Sequence, residues 1–143
     1  MPKLPTMRYI VAIDPGKDKA GMALVRRDGQ VAERLIVAPE DVVAQLRAWQ
    51  AAYPVAVVVL GDRTGSRAFR AKLLEAGVVA EAVDEHLSTE QARRRYLAEH
   101  PGRGLARWLP ASLRTPDRPV DDYVAVILAE RYLKRQHAPD GAP

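Results

Sequence analysis

The chain has no cysteine. This excludes a disulfide frame, thiolate chemistry and any zinc site built on sulfur. No apolar run approaches the roughly 20 residues a membrane span needs. Met1 to Met7 is short and contains proline, with no apolar core behind a basic start, so it does not read as a signal peptide. Internal repeats are absent, and low complexity is confined to the tail "QHAPDGAP". These absences make a cytoplasmic protein without a membrane partner the default expectation.

What is present is ordinary globular composition, 48% apolar and 28% charged over 143 residues. That length predicts one domain over residues 1–135, with 136–143 a disordered tail. The net charge is +4. Between Ser88 and Arg118 lie Arg93, Arg94, Arg95, Arg103, Arg107, Arg114 and Arg118, against only Glu90, Glu99 and Asp117. Arginine carries the planar fork that fits phosphate, so this segment points to nucleic acid. A solvated helix face would look similar.

"YIVAIDPG" at residues 9–16 reads as a β-branched strand that delivers Asp14 to a Pro-Gly turn. Strands follow at 21–25 and 31–37, joined by an Asp-Gly hairpin. Pro39 opens a helix whose Val42, Leu46, Trp49 and Tyr53 share one face. "VAVVVL" at 55–60 has no polar alternation, the pattern of a parallel strand covered on both sides. A helix capped by Ser66 or Thr64 carries Phe69, Leu73 and Leu74 and stops at Gly77. Residues 78–83 read as a fifth strand. Ser88 and Gln91 form a capping box for the next helix. Residues 100–119 read as a loop with at most a short helix, and a final helix runs from about Val120 to Arg135. Three antiparallel strands thus lead into a βαβαβ half. The expected fold is an α/β layer with a five-stranded mixed sheet and helices on both faces.

The acids follow one rule. Asp14 ends the first strand, Asp62 follows the fourth, Asp84 and Glu85 follow the fifth, and Asp121 and Asp122 open the last helix. Parallel strands end on one edge of a sheet, where α/β ligand sites form. Each acid alone has a local explanation, as a turn residue or a helix-dipole partner. Together they predict a carboxylate cluster, with Asp14, Glu85 and Asp121 or Asp122 within metal-sharing distance and Asp62 nearby. Clustered carboxylates repel unless a cation neutralises them. Oxygen donors without Cys or a His pair select Mg²⁺ or Mn²⁺. Two such ions suit phosphoryl displacement.

Three segments carry a family resemblance. "AIDPGKDKAGMAL", "VDEHLSTEQA" and "VDDYVAVILAERYL" resemble, in order, the first-strand, Asp-Glu and closing-helix motifs of the YqgF-type nucleases. These belong to the RNase H-like superfamily and are relatives of RuvC-type Holliday junction resolvases. The resemblance implies an RNase H-like fold, divalent-metal dependence, and an acidic triad of Asp14, Glu85 and Asp121, with Asp122 one residue away. It implies a substrate of structured nucleic acid, either precursor 16S ribosomal RNA or junction DNA. A homodimer would serve symmetric junction cleavage. His86 stands where the family has Arg. "LGDRTGS" replaces the family's Gly-Leu-Pro segment and is similar to the YqgF-like domain of Tex-type proteins, some of which lack the acids. A catalytically idle nucleic-acid-binding module is therefore the second reading. A phosphate-binding lobe of the actin and sugar-kinase type is a distant third, since it would need a second domain.

A polyanion held against carboxylates needs cations beside them. The expected track is Lys17 and Lys19 near Asp14, Arg63 and Arg67 after Asp62, Arg93 to Arg95 after Glu85, and Arg114 and Arg118 before the last helix. Lys17, Arg63 and Arg118 should come nearest the acids.

Overall fold

The computed structural model describes residues 8–136, apart from 64, 103, 111 and 112. The elements alternate as the sequence pattern requires: β1 (Tyr9–Asp14), β2 (Ala20–Arg26), β3 (Val31–Val37), α1 (Val42–Ala52), β4 (Val55–Gly61), α2 (Ser66–Glu75), β5 (Ala80–Val83), α3 (Ser88–Glu99) and α4 (Asp121–Gln136). Short 3-10 turns occupy Pro39–Asp41 and Gly104–Trp108. The sheet order is β3-β2-β1-β4-β5. β1 pairs antiparallel with β2 and parallel with β4, and β4 pairs parallel with β5. The expected mixed five-stranded α/β sheet is present, with β1 at its centre.

Alternation along the strands sorts the core into two layers. Ile10 and Ala12 of β1, Ala23 and Val25 of β2, and Val59 of β4 pack under α3 and α4. Val11, Ile13, Met22, Leu24, Val58 and Leu60 face the other way, against Leu46 and Trp49 of α1 and Leu73 of α2. By the same period, Asp14 falls on the α4 side, two residues after Ala12. Gly21 and Gly61 fall on that side too.

Several local expectations are corrected. Pro39 opens a 3-10 turn, and the α-helix proper begins at Val42. β5 begins at Ala80 instead of Val78, because Val78 N–H donates to the Leu73 carbonyl and Gly77 N–H to the Leu74 carbonyl. This closure of the helix end, with Gly77 at φ 83°, uses the residues before the strand. The capping box at Ser88 is not formed. Leu87 takes the cap position in the left-handed conformation, φ 58°, and the buried Ser88 hydroxyl has no hydrogen-bond partner among the described residues. A tight turn, Ser88 N–H to Glu85 carbonyl at 2.9 Å, places Ser88 already inside the helix. Gly65 (φ 97°), not Ser66, caps α2, and Thr64 lies outside the described residues. α4 continues through Gln136, one residue into the expected tail; residues 137–143 lie outside the described residues. Among the described residues no helix is long and apolar enough to cross a membrane.

Candidate active site

The carboxylates meet at the edge where β1, β4 and β5 end, on the α4 side. Asp14 follows directly on the Ile13–Leu60 rung of β1 and β4, and Gly61 pairs with Val83 of β5. Glu85 lies two residues beyond Val83. Gly61 therefore stands between the two acids. A methyl there would overlap the Glu85 carboxyl carbon. The missing side chain is the space through which Glu85 leans toward Asp14. On the other side of Asp14, its β2 partner is Gly21. A methyl there would overlap the carbonyl of Asp121 and crowd the amide of Asp122. So β2 lets the first turn of α4 press onto the sheet beside Asp14. A row of Gly, Asp and Gly crosses β2, β1 and β4 to Glu85 just past β5, and the two glycines admit Asp121 and Glu85 beside Asp14.

Asp14 is 6% exposed and Glu85 3%. Asp14 Oδ1 and Glu85 Oε1 are both buried and receive no hydrogen bond from the described residues. Burial pushes the Asp14 carboxyl up to about 8, helped by a hydrogen bond to the Glu85 side chain and by the charges of Glu85 and Asp121, while Arg63 opposes the rise. A buried acceptor is normally paired. A proton held between the acids, or a cation, would satisfy these oxygens. Their hard-oxygen chemistry suits a divalent ion of the Mg²⁺ or Mn²⁺ type.

The remaining acids have protein partners. Asp62 is exposed, and its Oδ1 accepts the Glu85 backbone N–H at 3.1 Å. It thus ties the end of β4 to the residue that carries Glu85. Asp122 is buried. Its carboxylate takes Arg118 at 3.1 and 3.2 Å and Arg34 Nε at 3.2 Å. Asp121 is half-buried and close enough to act on Asp14. Asp84 Oδ1 accepts the exposed His86 backbone N–H at 2.9 Å. Among the described residues, no three His, Cys, Asp or Glu side chains are grouped so that they could hold one metal ion. Glu85 also has a cationic neighbour in Arg63, whose backbone N–H donates to Glu85 Oε2 at 2.8 Å and whose Nε lies 3.6 Å from Oε1.

The basic residues divide in the same way. Arg63 reaches the acids and also donates to Thr89 Oγ1 at 2.7 Å. Arg118 comes to the edge but spends its charge on Asp122 and lies over the Tyr96 ring. Arg95 pairs with Glu130 at 2.7 Å and with Glu99 at 3.7 Å. Arg114 donates to the carbonyls of His100 and Leu97, each at 3.2 Å. Lys17, Lys19, Arg67, Arg93 and Arg94 are exposed and enter no ion pair among the described residues. Arg103 lies outside the described residues. Arg34 of β3 carries no sequence signal for its role; its partner is 88 positions away in α4. Gly61 had one, an apolar strand that ends in glycine directly before an acid.

No family model matches the chain, and no curated protein matches it. Among solved structures, it is similar to T. thermophilus RuvC in complex with a Holliday junction substrate, with a TM-score of 0.54 and 15% identity over 91% of this chain and 96% of that one. The fold is RNase H-like. A weaker likeness is to a ROK family transcriptional regulator, a homologue of E. coli MLC, with a TM-score of 0.40 and 12% identity over 62% of this chain and 31% of that one. At 15% identity the likeness to RuvC speaks for the fold alone. In this RNase H-like frame, β1 supplies Asp14, β5 leads into Glu85, and α4 opens on Asp121.

Proposed function

We propose that the chain is a divalent-metal-dependent nuclease that hydrolyses phosphodiester bonds in structured nucleic acid, with Asp14, Glu85 and Asp121 as its acids. One observation carries this reading. Two neighbouring buried carboxylate oxygens, Asp14 Oδ1 and Glu85 Oε1, accept no hydrogen bond from the described residues at the sheet edge where α/β folds bind ligands, with Arg63 Nε 3.6 Å from Oε1. Packing and strand ends fix their positions, so they form a rigid site for positive charge. Asp121 is the third acid in preference to Asp122, whose charge is met by Arg34 and Arg118. Asp62 orients Glu85 through its backbone.

Asp14, Glu85 and Asp121 would hold Mg²⁺ or Mn²⁺, which supplies charge neutralisation at a phosphate and an activated water. The protein's own residues bind and orient. Arg63 pairs with Glu85 and offers its fork at the edge. Lys17 and Lys19, in the turn after Asp14, meet the phosphates flanking the scissile one. Arg67, Arg93 and Arg94 extend the grip outward. Branched DNA, the kind of substrate bound in the RuvC structure, and folded RNA such as precursor ribosomal RNA are the substrates to compare.

The second reading is an idle nucleic-acid-binding module. It is favoured by Arg63, which already neutralises Glu85, and by the lack of a three-acid group among the described residues. One experiment separates the two. Labelled four-way junction DNA and structured RNA are titrated with Mg²⁺ and Mn²⁺ in the presence of wild-type chain or Asp14→Asn. Cleavage by wild type alone, abolished by excess chelator, supports the nuclease. Binding without cleavage at any metal concentration rejects it in favour of the module.

A further inference from the structure

The excursion between α3 and α4 leaves the sheet and returns to it. α3 starts three residues after Glu85 and is about 18 Å long, at 1.5 Å per residue; its far end lies beside the first turn of α4, where Glu99 accepts from the Tyr123 hydroxyl at 2.8 Å. The chain then comes back over α3 through the turn Gly104–Trp108 and reaches Asp121. Arg114 fastens this return to the end of α3 through the Leu97 and His100 carbonyls, and Tyr96 of α3 hydrogen-bonds Asp117.

The surface so made has an unusual composition. Leu105, Trp108 and Leu113 are largely exposed, Trp108 by 80%. Arg107 lies over the Trp108 ring at 5.9 Å. A groove of about 660 Å³ runs between α3 and Leu113–Thr115, with Arg93, Arg94 and Arg114 against a single acid, Glu90. Leu113 lines this groove and also the adjoining one, where Leu109, the neighbour of Trp108, is found. An apolar ledge with an exposed flat aromatic one residue from the wall of one groove, and a second groove rich in arginine that shares Leu113 with the first, match a polymer with alternating charge and π-faces. Neither a duplex nor a protein core offers that pattern on one strand.

We propose that this ledge and groove hold a single-stranded flank of the nucleic acid, with Trp108 stacked on an unpaired base and Arg93 and Arg94 on the phosphates. This rests on the nuclease reading for its direction only: the strand would lead toward Asp14 and Glu85. It narrows the substrate class to nucleic acid with unpaired nucleotides beside the cut. Stacking tolerates any base, so the site selects strandedness and not sequence.

Tryptophan fluorescence tests it directly. The chain has two tryptophans. Trp49 is 3% exposed in the opposite core layer, so an added oligonucleotide reports on Trp108. A single-stranded thymidine dodecamer and a duplex of equal phosphate content are titrated in Ca²⁺ buffer into the full chain and into Asp14→Asn. The single strand should quench and the duplex should not. Trp108→Ala should weaken single-strand binding roughly tenfold to a hundredfold, the size of one lost stack, and leave duplex binding unchanged. Trp108→Phe should restore most of it. Equal quenching by both strands, no quenching, or an unchanged affinity in Trp108→Ala would overturn the proposal. So would a shift of Trp108→Ala to a smaller species in sedimentation of protein alone, which would assign the ledge to a second copy of the chain. Loss of these effects with metal-dependent cleavage intact rejects the ledge alone. Intact quenching with no cleavage in any divalent metal rejects the nuclease alone.

Discussion

A methyl group on Gly21 would overlap the carbonyl oxygen of Asp121. Strand and helix backbone touch at that point, and no side-chain rotation relieves the contact. Gly21→Ala should therefore shift the first turn of α4 or unfold it, at a cost of about 1–3 kcal/mol, the range of overpacked sites. Urea denaturation measures the loss. Gly61→Ala meets a side chain, the Glu85 carboxyl, which has somewhere to go. It should cost less stability and still remove cleavage, because Glu85 swings away from Asp14.

Asp14 makes stability depend on pH in a direction opposite to most aspartates. Its folded-state value, about 8, lies above the ordinary value near 4 of an unfolded chain. The folded state then binds the extra proton between these limits. Its contribution is full below about pH 4 and is lost as the pH rises through 8. In chelator, the wild-type unfolding free energy should fall over that window by up to about 1.4 kcal/mol per pH unit, and the melting temperature with it. Asp14→Asn should flatten the slope, stay folded at pH 8 and abolish cleavage. A wild-type curve that rises across the window would contradict the burial and repulsion assigned to Asp14.

Adjacent acids at 121 and 122 should behave as opposites. Asp122→Ala strips Arg34 and Arg118 of their partner and leaves a hole under α4. Breaking a buried pair costs about 3–5 kcal/mol. Both arginines are partly solvated, so about 2 kcal/mol is the expected loss here. Asp121→Asn should leave the melting temperature within a degree or two and remove activity. Thermal denaturation beside a cleavage assay separates the two. The reverse pattern would make Asp122 the working acid.

Two of the three consecutive arginines should carry the salt dependence of binding. Each phosphate contact contributes about −0.9 to the slope of log affinity against log salt on duplex DNA, or about −0.7 on single strands. Arg93→Ala with Arg94→Ala should reduce the steepness by one to two such increments. Arg95→Ala should leave the slope unchanged and lower stability instead, because its charge is met by Glu130 and Glu99. A binding series in Ca²⁺ at several salt concentrations decides it.

The frame was legible because its signals are local. Alternating or continuous apolar runs marked the strands, Asp-Gly marked the hairpin, and the apolar run ending before Pro15-Gly16 put Asp14 at a strand end. What was not legible depends on partners distant in sequence. Asp121 and Asp122 look alike in the chain; the difference is Arg118, four residues before Asp122, and Arg34, on the far edge strand, which both reach Asp122. Arg93 and Arg95 look alike in the chain, and only the packing of α3 on α4 brings Glu130 to the second. The capping box failed for a related reason. The turn from Glu85 into α3 had to be tight, and that requirement forced Leu87 into a left-handed conformation that a local pattern does not anticipate.

Helix α4 both roofs one core layer and begins with Asp121. The helix that carries the proposed third acid is thus the one the core cannot lose. A small single domain unfolds cooperatively, so on heating, cleavage and the far-ultraviolet helix signal should disappear together, and no temperature should yield a folded molecule with only two of its acids.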